Sequence, residues 1–145
     1  MRILIQRVSS ARVTVADQEV GAIGRGLLCL VGVAHGDTEQ TAARLAAKTT
    51  RLRIFDDQAG LMNLALADVG GAVLAVSQFT LYADARRGNR PSFTEAAGPE
   101  HGERLYTVFI DALRAASVPV RTGTFGAHMC VELVNDGPVT IMLEG

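Results

Sequence analysis

The sequence predicts an α/β fold, a three-layer β/β/α sandwich with mixed, largely antiparallel sheets and two main helices. Three observations support this fold class. About eight short segments have the alternating or continuous hydrophobicity of strands. Two segments have the 3.6-residue period of an amphipathic helix. Since two helices cannot cover both faces of a large parallel sheet, a second sheet is expected to cover one of them.

The N-terminal third of the chain has the pattern of successive strands. They are expected at residues 2–8, 12–16, 19–23 and 27–33. The last of these is an uninterrupted apolar run, which is typical of a strand buried on both faces. The period then changes to that of a helix over residues 38–51, with Asp37 as a candidate cap and Gln40 three residues later.

The rest of the chain alternates between strands and one further helix. A short strand is expected at 52–55, a buried strand at 72–77, and a polar loop at 83–91. Pro99 suits the first position of the second helix, which Pro119 terminates. Closing strands are expected at 120–122, 129–134 and 139–143.

Length and composition set the function classes that the chain can belong to. Its 145 residues are the size of one domain, residues 1–145. The net charge of −1 argues against a protein that coats nucleic acid, although local contacts to one nucleic-acid end stay possible. No apolar run approaches the roughly 20 residues that span a bilayer, and the start does not resemble a signal peptide. We therefore expect a cytoplasmic protein that contacts no membrane.

Common catalytic and cofactor motifs are missing. The sequence contains no Gly-rich phosphate loop, no His-Glu-x-x-His and no Gly-x-Ser-x-Gly. His128 and Cys130 would share one face of a strand, but chance alternation explains that pair better than catalysis. Both Cys29 and Cys130 are expected to be small core residues. We expect no metal and no cofactor.

Two segments are unusual for their context. Ser77-Gln78-Phe79-Thr80-Leu81 places hydroxyls and an amide where an apolar strand ends, either as strand-end hydrogen bonding or as a rigid set of donors and acceptors. Asn135-Asp136-Gly137-Pro138-Val139-Thr140 has the composition of a hairpin turn between two strands. Because Gly137 has no side chain and Pro138 no N–H, that turn would present bare carbonyl oxygens.

Together these segments resemble the two signature motifs of the D-aminoacyl-tRNA deacylases (D-tyrosyl-tRNA deacylases). The resemblance covers the whole chain. It includes Gln6-Arg7-Val8, Arg53-Ile54-Phe55 and Arg90-Pro91-Ser92-Phe93-Thr94-Glu95-Ala96. Each motif alone is moderately specific, but the pair at this spacing is a strong signal.

The resemblance implies an activity and a shared site. The family hydrolyses the ester that links a D-amino acid to the 3′-terminal adenosine of tRNA, and it also clears glycine from mischarged tRNA. It is a homodimer whose sites lie at the subunit interface. Gly137 and Pro138 would carry the Gly-cisPro of chiral selection, while Ser77, Gln78, Phe79 and Thr80 would form the catalytic pocket wall.

The roles of several residues stay open at this level. Backbone N–H groups of Phe79 and Thr80 could stabilise the oxyanion with help from the ribose 2′-OH, or Thr80 could be a nucleophile. Arg7 could brace the Gly-Pro turn, Phe125 could contact the adenine, and Asn135 could support the turn. Without the resemblance, Arg86, Arg87 and Arg90 favour a dimeric module that binds RNA ends or nucleotides without catalysis.

Overall fold

The computed structural model describes residues 1–145, arranged in the order β-β-β-α-β-β-β-α-β-β. Two short 3-10 helices cover Ala67–Val69 and Phe79–Tyr82. The strands are β1 (Arg2–Val15), β2 (Gln18–Ile23), β3 (Gly26–Gly32), β4 (Phe55–Asp56), β5 (Met62–Leu64), β6 (Ala72–Ser77), β7 (Val120–Thr122) and β8 (Cys130–Glu144), and the helices are α1 (Glu39–Arg51) and α2 (Pro99–Ala115).

The long strand β1 organises the sheet. Its first half pairs with β3 and its second half with β2, while β8 runs antiparallel along its other side. β6 and β7 extend the sheet from β3 in parallel pairing. β4 and β5 form a separate antiparallel pair. The sheets are therefore mixed and largely antiparallel, and the predicted fold class is confirmed.

Two apolar clusters separate three layers. The larger cluster lies between the helices and the sheet, where Leu45 and Phe109 pack with Ile3 and Ile5. The smaller one lies on the opposite face, where Leu28 and Leu74 of the central strands pack with Val13 of the second half of β1. The second half of β1, the first half of β8 and strand β2 contribute other residues of this cluster, and they form the layer that closes this face.

Both helices begin and end close to the predicted residues, but the cap of α1 was misassigned. Thr38 is the cap, and its hydroxyl accepts a hydrogen bond from the backbone N of Thr41 at 3.2 Å. Asp37 turns its carboxylate away from the helix, toward the backbone N of Ala34 at 2.6 Å and the N-terminal amine. The pattern of polar residues could not distinguish these two adjacent candidates.

The expected break in β8 is absent. The segments predicted as strands 129–134 and 139–143 are one strand, and residues 136–139 form a bulge in it. Gln6 of β1 pairs with Thr140, and Val8 pairs with Asn135. An advance of two residues along β1 is therefore matched by five residues along β8. The hairpin interpretation of this segment is therefore wrong. The two strands expected at 2–8 and 12–16 likewise join as β1.

Smaller elements differ as well. The strand expected at 52–55 covers Phe55–Asp56, and its partner β5 was not predicted because three residues carry no clear period. Cys29 is buried as expected, but Cys130 is exposed. His128 precedes the start of β8, so His128 and Cys130 do not share one face of a strand as expected. None of the helices combines the length and hydrophobicity that a membrane crossing requires.

Candidate active site

A cleft of about 570 Å³ opens where the parallel strands β3 and β6 end. Its size lies within the roughly 300–1,000 Å³ typical of small-molecule sites. Carboxyl ends of parallel strands are a usual place for such sites. The walls come from the ends of β3 and β6, the first turns of α2, the segment 125–129 and Phe93, and most of the lining is apolar.

The segment after β6 supplies polar groups to this cleft. Ser77, Gln78 and Phe79 all line it. The backbone N of Gln78 donates to the carbonyl of Val31 at 2.7 Å, which fixes the chain as it leaves the sheet. Phe79 begins a 3-10 helix, and the first N–H groups of a helix have no partner within it. The chain therefore carries candidate backbone donors at the rim of the cleft.

Thr80 lies beside the cleft and is exposed. Its hydroxyl accepts a hydrogen bond from the side-chain amide of Gln78. An amide cannot remove a proton from a hydroxyl, and no carboxylate or imidazole is hydrogen-bonded to Thr80. This arrangement provides no general base for a nucleophilic threonine.

Aromatic rings form the two walls of the cleft. Phe79 is 57% exposed, and its ring meets that of Phe93 edge-on at 5.0 Å. On the other side, the ring of Phe125 lies 6.0 Å from that of Tyr106. The Tyr106 hydroxyl donates to the carbonyl of Ala75 at 2.8 Å, and burial raises the pKa of Tyr106 well above its usual range. Tyr106 is therefore a neutral, fixed part of the wall.

Sequence reasoning missed Tyr106 and Phe93. Tyr106 lies next to the apolar stripe of α2, four residues after Gly102, and both residues line the cleft. A glycine and an aromatic residue at this spacing lie on one face of a helix, and this spacing could have indicated that the two residues border a cavity. Phe93 stands in a segment that carries no period. It was named only as part of the segment Arg90 to Ala96, which resembles the deacylase family.

The Gly137-Pro138 turn lies outside this cleft. Asp136, Gly137 and Pro138 are exposed on the bulge of β8, and the Gly137–Pro138 peptide bond is cis. None of these three residues lines the cleft of the same chain. The predicted site residues therefore fall into two groups, which one chain does not bring together.

Asn135 and Arg7 hold the turn. The Asn135 side chain accepts from the backbone N of Val139 at 2.8 Å and donates to the Thr140 hydroxyl at 3.0 Å. Arg7 is only 6% exposed, and its Nε donates to the carbonyl of Asp136 at 2.7 Å. These side chains fix both ends of the bulge.

Arg7 also ties the turn to the β4 segment. Its Nη1 donates to the buried carbonyl of Ile54 at 2.8 Å and to the Asp56 carboxylate at 3.2 Å. A planar guanidinium can satisfy several acceptors at fixed angles, which a lysine cannot. One buried side chain therefore sets the position of the turn relative to the sheet and the small β4–β5 pair.

Comparisons with known proteins agree over nearly the whole chain. The family model described as D-Tyr-tRNA(Tyr) deacylase matches residues 4–144. A protein of Thermomicrobium roseum named D-aminoacyl-tRNA deacylase is 61% identical over 144 residues, covering 99% of this chain and 94% of its own. One of Deinococcus radiodurans with the same name is 57% identical, covering 99% of each chain.

Two solved structures share the fold over nearly the whole chain. A structure described as c-Myc DNA Unwinding Element Binding Protein is 39% identical with a TM-score of 0.94, covering 100% of this chain and 99% of its own. One described as a probable eukaryotic D-amino acid tRNA deacylase is 18% identical with a TM-score of 0.82, covering 98% and 97%, and shows that the fold is shared. Because the family model and these relatives span essentially the full length, the chain belongs to the D-Tyr-tRNA(Tyr) deacylase family.

Proposed function

We propose that this protein hydrolyses the ester bond of D-aminoacyl-tRNA and of mischarged glycyl-tRNA, releasing the amino acid and free tRNA. The observation that carries the proposal is the cleft at the ends of β3 and β6, in which the Ser77–Thr80 segment presents donors beside an apolar pocket. The whole-chain match to the deacylase family supports the same activity. Because the proposed reaction removes D-amino acids from the tRNAs used in translation, we expect the protein to act in the cytoplasm.

The aminoacyl end of the tRNA would occupy the cleft. The terminal adenine is a flat, largely apolar group, and the cleft offers the ring of Phe125 and an apolar lining to hold it. The ester carbonyl would then lie near Phe79, at the polar rim. The proposed mechanism calls for no metal or cofactor, since an ester is already an activated acyl group.

Two copies of the chain would complete each site. The Gly137-Pro138 turn is exposed and separate from its own chain's cleft, so it is available to the cleft of a partner. β8 carries the turn, pairs only with β1, and exposes the apolar side chains of Val134 and Met142. A homodimer would cover these residues. Sedimentation equilibrium that gives the mass of a single chain would contradict this arrangement.

Selection between enantiomers would come from exclusion. Carbonyl oxygens of the Gly137-Pro138 turn, held by Arg7 and Asn135, would occupy the space that an L side chain needs. A D side chain points elsewhere and is accepted whatever its type. Glycine has no side chain to exclude, so glycyl-tRNA also enters.

Backbone groups and the substrate would supply the chemistry. The N–H groups of Phe79 and Thr80 would stabilise the oxyanion that forms as water attacks the ester carbonyl. The ribose 2′-OH of the terminal adenosine would assist the proton transfer. This route needs no side-chain base, which agrees with the surroundings of Thr80, where an amide is the hydrogen-bonding partner.

Replacing Thr80 by alanine should leave most of the chemistry intact. We expect the single-turnover rate of Thr80→Ala on D-tyrosyl-tRNA to stay within about tenfold of wild type, because the backbone N–H is retained. Rapid-quench measurement of the released amino acid checks this. A loss of roughly a thousandfold or more, as expected for removal of a nucleophile, would contradict the backbone route.

The decisive assay compares the two enantiomers. Incubation with D-tyrosyl-tRNA should deplete the ester, while L-tyrosyl-tRNA should persist at the rate of spontaneous hydrolysis. Acid-precipitable radiolabel followed over time gives both rates. Tight binding of either tRNA without turnover would contradict the proposed activity and would support the binding module without catalysis.

A further inference from the structure

The segment between Asp84 and Ser92 forms a closed loop on the rim of the cleft. The backbones of Asp84 and Ser92 exchange two hydrogen bonds of 2.8 Å, which leaves residues 85–91 as an exposed loop. The chain enters it after Phe79 and leaves it at Phe93. Since these two rings touch each other and line the cleft, both ends of the loop are anchored at the cleft opening.

This loop concentrates positive charge in a chain whose net charge is −1. Between Asp84 and Ser92 stand Arg86, Arg87 and Arg90. The carboxylate of Asp84 binds Arg86 through Nε at 2.9 Å and Nη2 at 2.8 Å, and also accepts from its backbone N at 3.0 Å. The Asp84 carboxylate therefore stabilises the conformation of the loop through Arg86.

Arg87 and Arg90 have no such partner. Neither forms a salt bridge within the chain, and both are exposed. Six of the other eleven arginines pair with a carboxylate, as Arg12 does with Glu132 at 2.8 Å. Two unpaired guanidiniums on a loop that Asp84 and Arg86 hold in shape are suited to bind phosphate groups.

We infer that Arg87 and Arg90 bind the phosphates of the tRNA acceptor strand that precede the terminal adenosine. This inference rests on the proposed function, in which that adenosine occupies the cleft. A seven-residue loop extends at most about 12 Å from its base, because half of its residues lead out and half return. Stacked nucleotides advance about 3.4 Å each, so the loop can reach about three nucleotides from the cleft.

The inference separates affinity for RNA from chemistry at the ester. The double variant R87A/R90A should raise KM for D-tyrosyl-tRNA about tenfold at 150 mM salt. The slope of log KM against log salt should fall by about 1.4, since each contact to a single strand contributes about 0.7. Hydrolysis of 3′-O-D-tyrosyl-adenosine, which lacks those phosphates, should proceed at the wild-type rate.

A charge-matched control is available on the helices. The variant K48A/R51A removes two exposed positive charges from the last turn of α1 and should change neither KM nor the salt slope. A KM for R87A/R90A within twofold of wild type, or an equal loss on both substrates, would overturn the inference. A wild-type protein that hydrolyses neither substrate would overturn the proposed function itself, and this inference with it.

Discussion

We expect Gly137→Ala to reduce the preference for D-tyrosyl-tRNA over L-tyrosyl-tRNA by about 100-fold. An added Cβ would stand 2.6 Å from the backbone N of Val139 and 2.7 Å from its Cγ2, at a φ of +154° that side chains rarely adopt. Val139 is buried and its N–H is bound by Asn135, so it cannot move aside. The turn must shift instead, which displaces the carbonyls proposed to exclude L side chains.

Initial rates of deacylation of the two tRNAs measure this ratio. Gly24→Ala is the matched control, because a Cβ there meets nothing within 4 Å and the residue is exposed. It should keep the wild-type ratio. If Gly137→Ala is folded, active and still rejects L-tyrosyl-tRNA as wild type does, then the turn is not the element that selects the enantiomer.

Arg7→Met should lower the free energy of unfolding by about 3 kcal/mol. The substitution keeps an unbranched side chain but removes the donors to the carbonyls of Asp136 and Ile54. A buried polar group left without a partner costs about 1–3 kcal/mol. The ion pairs with Asp56 and Asp136 add less, because both carboxylates are about half exposed, 45% and 52%.

Urea unfolding followed by circular dichroism measures this change. Arg12→Met is the control, since it lies on the same strand and loses one exposed pair with Glu132. It should leave the unfolding midpoint nearly unchanged. Equal midpoints for the two variants would show that Arg7 does not hold the turn. In Arg7→Met, the D-over-L ratio should also fall, because the turn loses its support at Asp136.

Sequence periodicity predicted the elements wherever burial imposes a regular pattern. The strands Ala72–Ser77 and Val120–Thr122 have the predicted bounds, and α1 begins one residue from the prediction. Prediction from the sequence failed where hydrogen bonding to a neighbouring strand outweighs the turn-like composition of a segment. Residues 135–138 have the composition of a hairpin turn, yet the strand continues, because β1 supplies a pairing partner on both sides of the bulge.

The candidate site divides in the same way. Residues adjacent in sequence, such as Ser77 to Phe79, were found together because they occupy one strand end. Whether the Gly137-Pro138 turn acts at the same site as this segment cannot be predicted from the residues themselves, since the turn does not line the cleft of its own chain. Tyr106 was not predicted because, in sequence, it is one more residue beside the apolar stripe of α2. Its burial and the hydrogen bond from its hydroxyl depend on tertiary structure.

The pairing of β1 with β8 also constrains how the protein is made. Arg2 pairs with Glu144, so one edge of β1 stays uncovered until β8 has been synthesised. Contacts this distant in sequence raise the contact order and slow folding. The part of β8 that carries Gly137 and Pro138 can therefore pair with β1 only after the residues between the two strands have been synthesised.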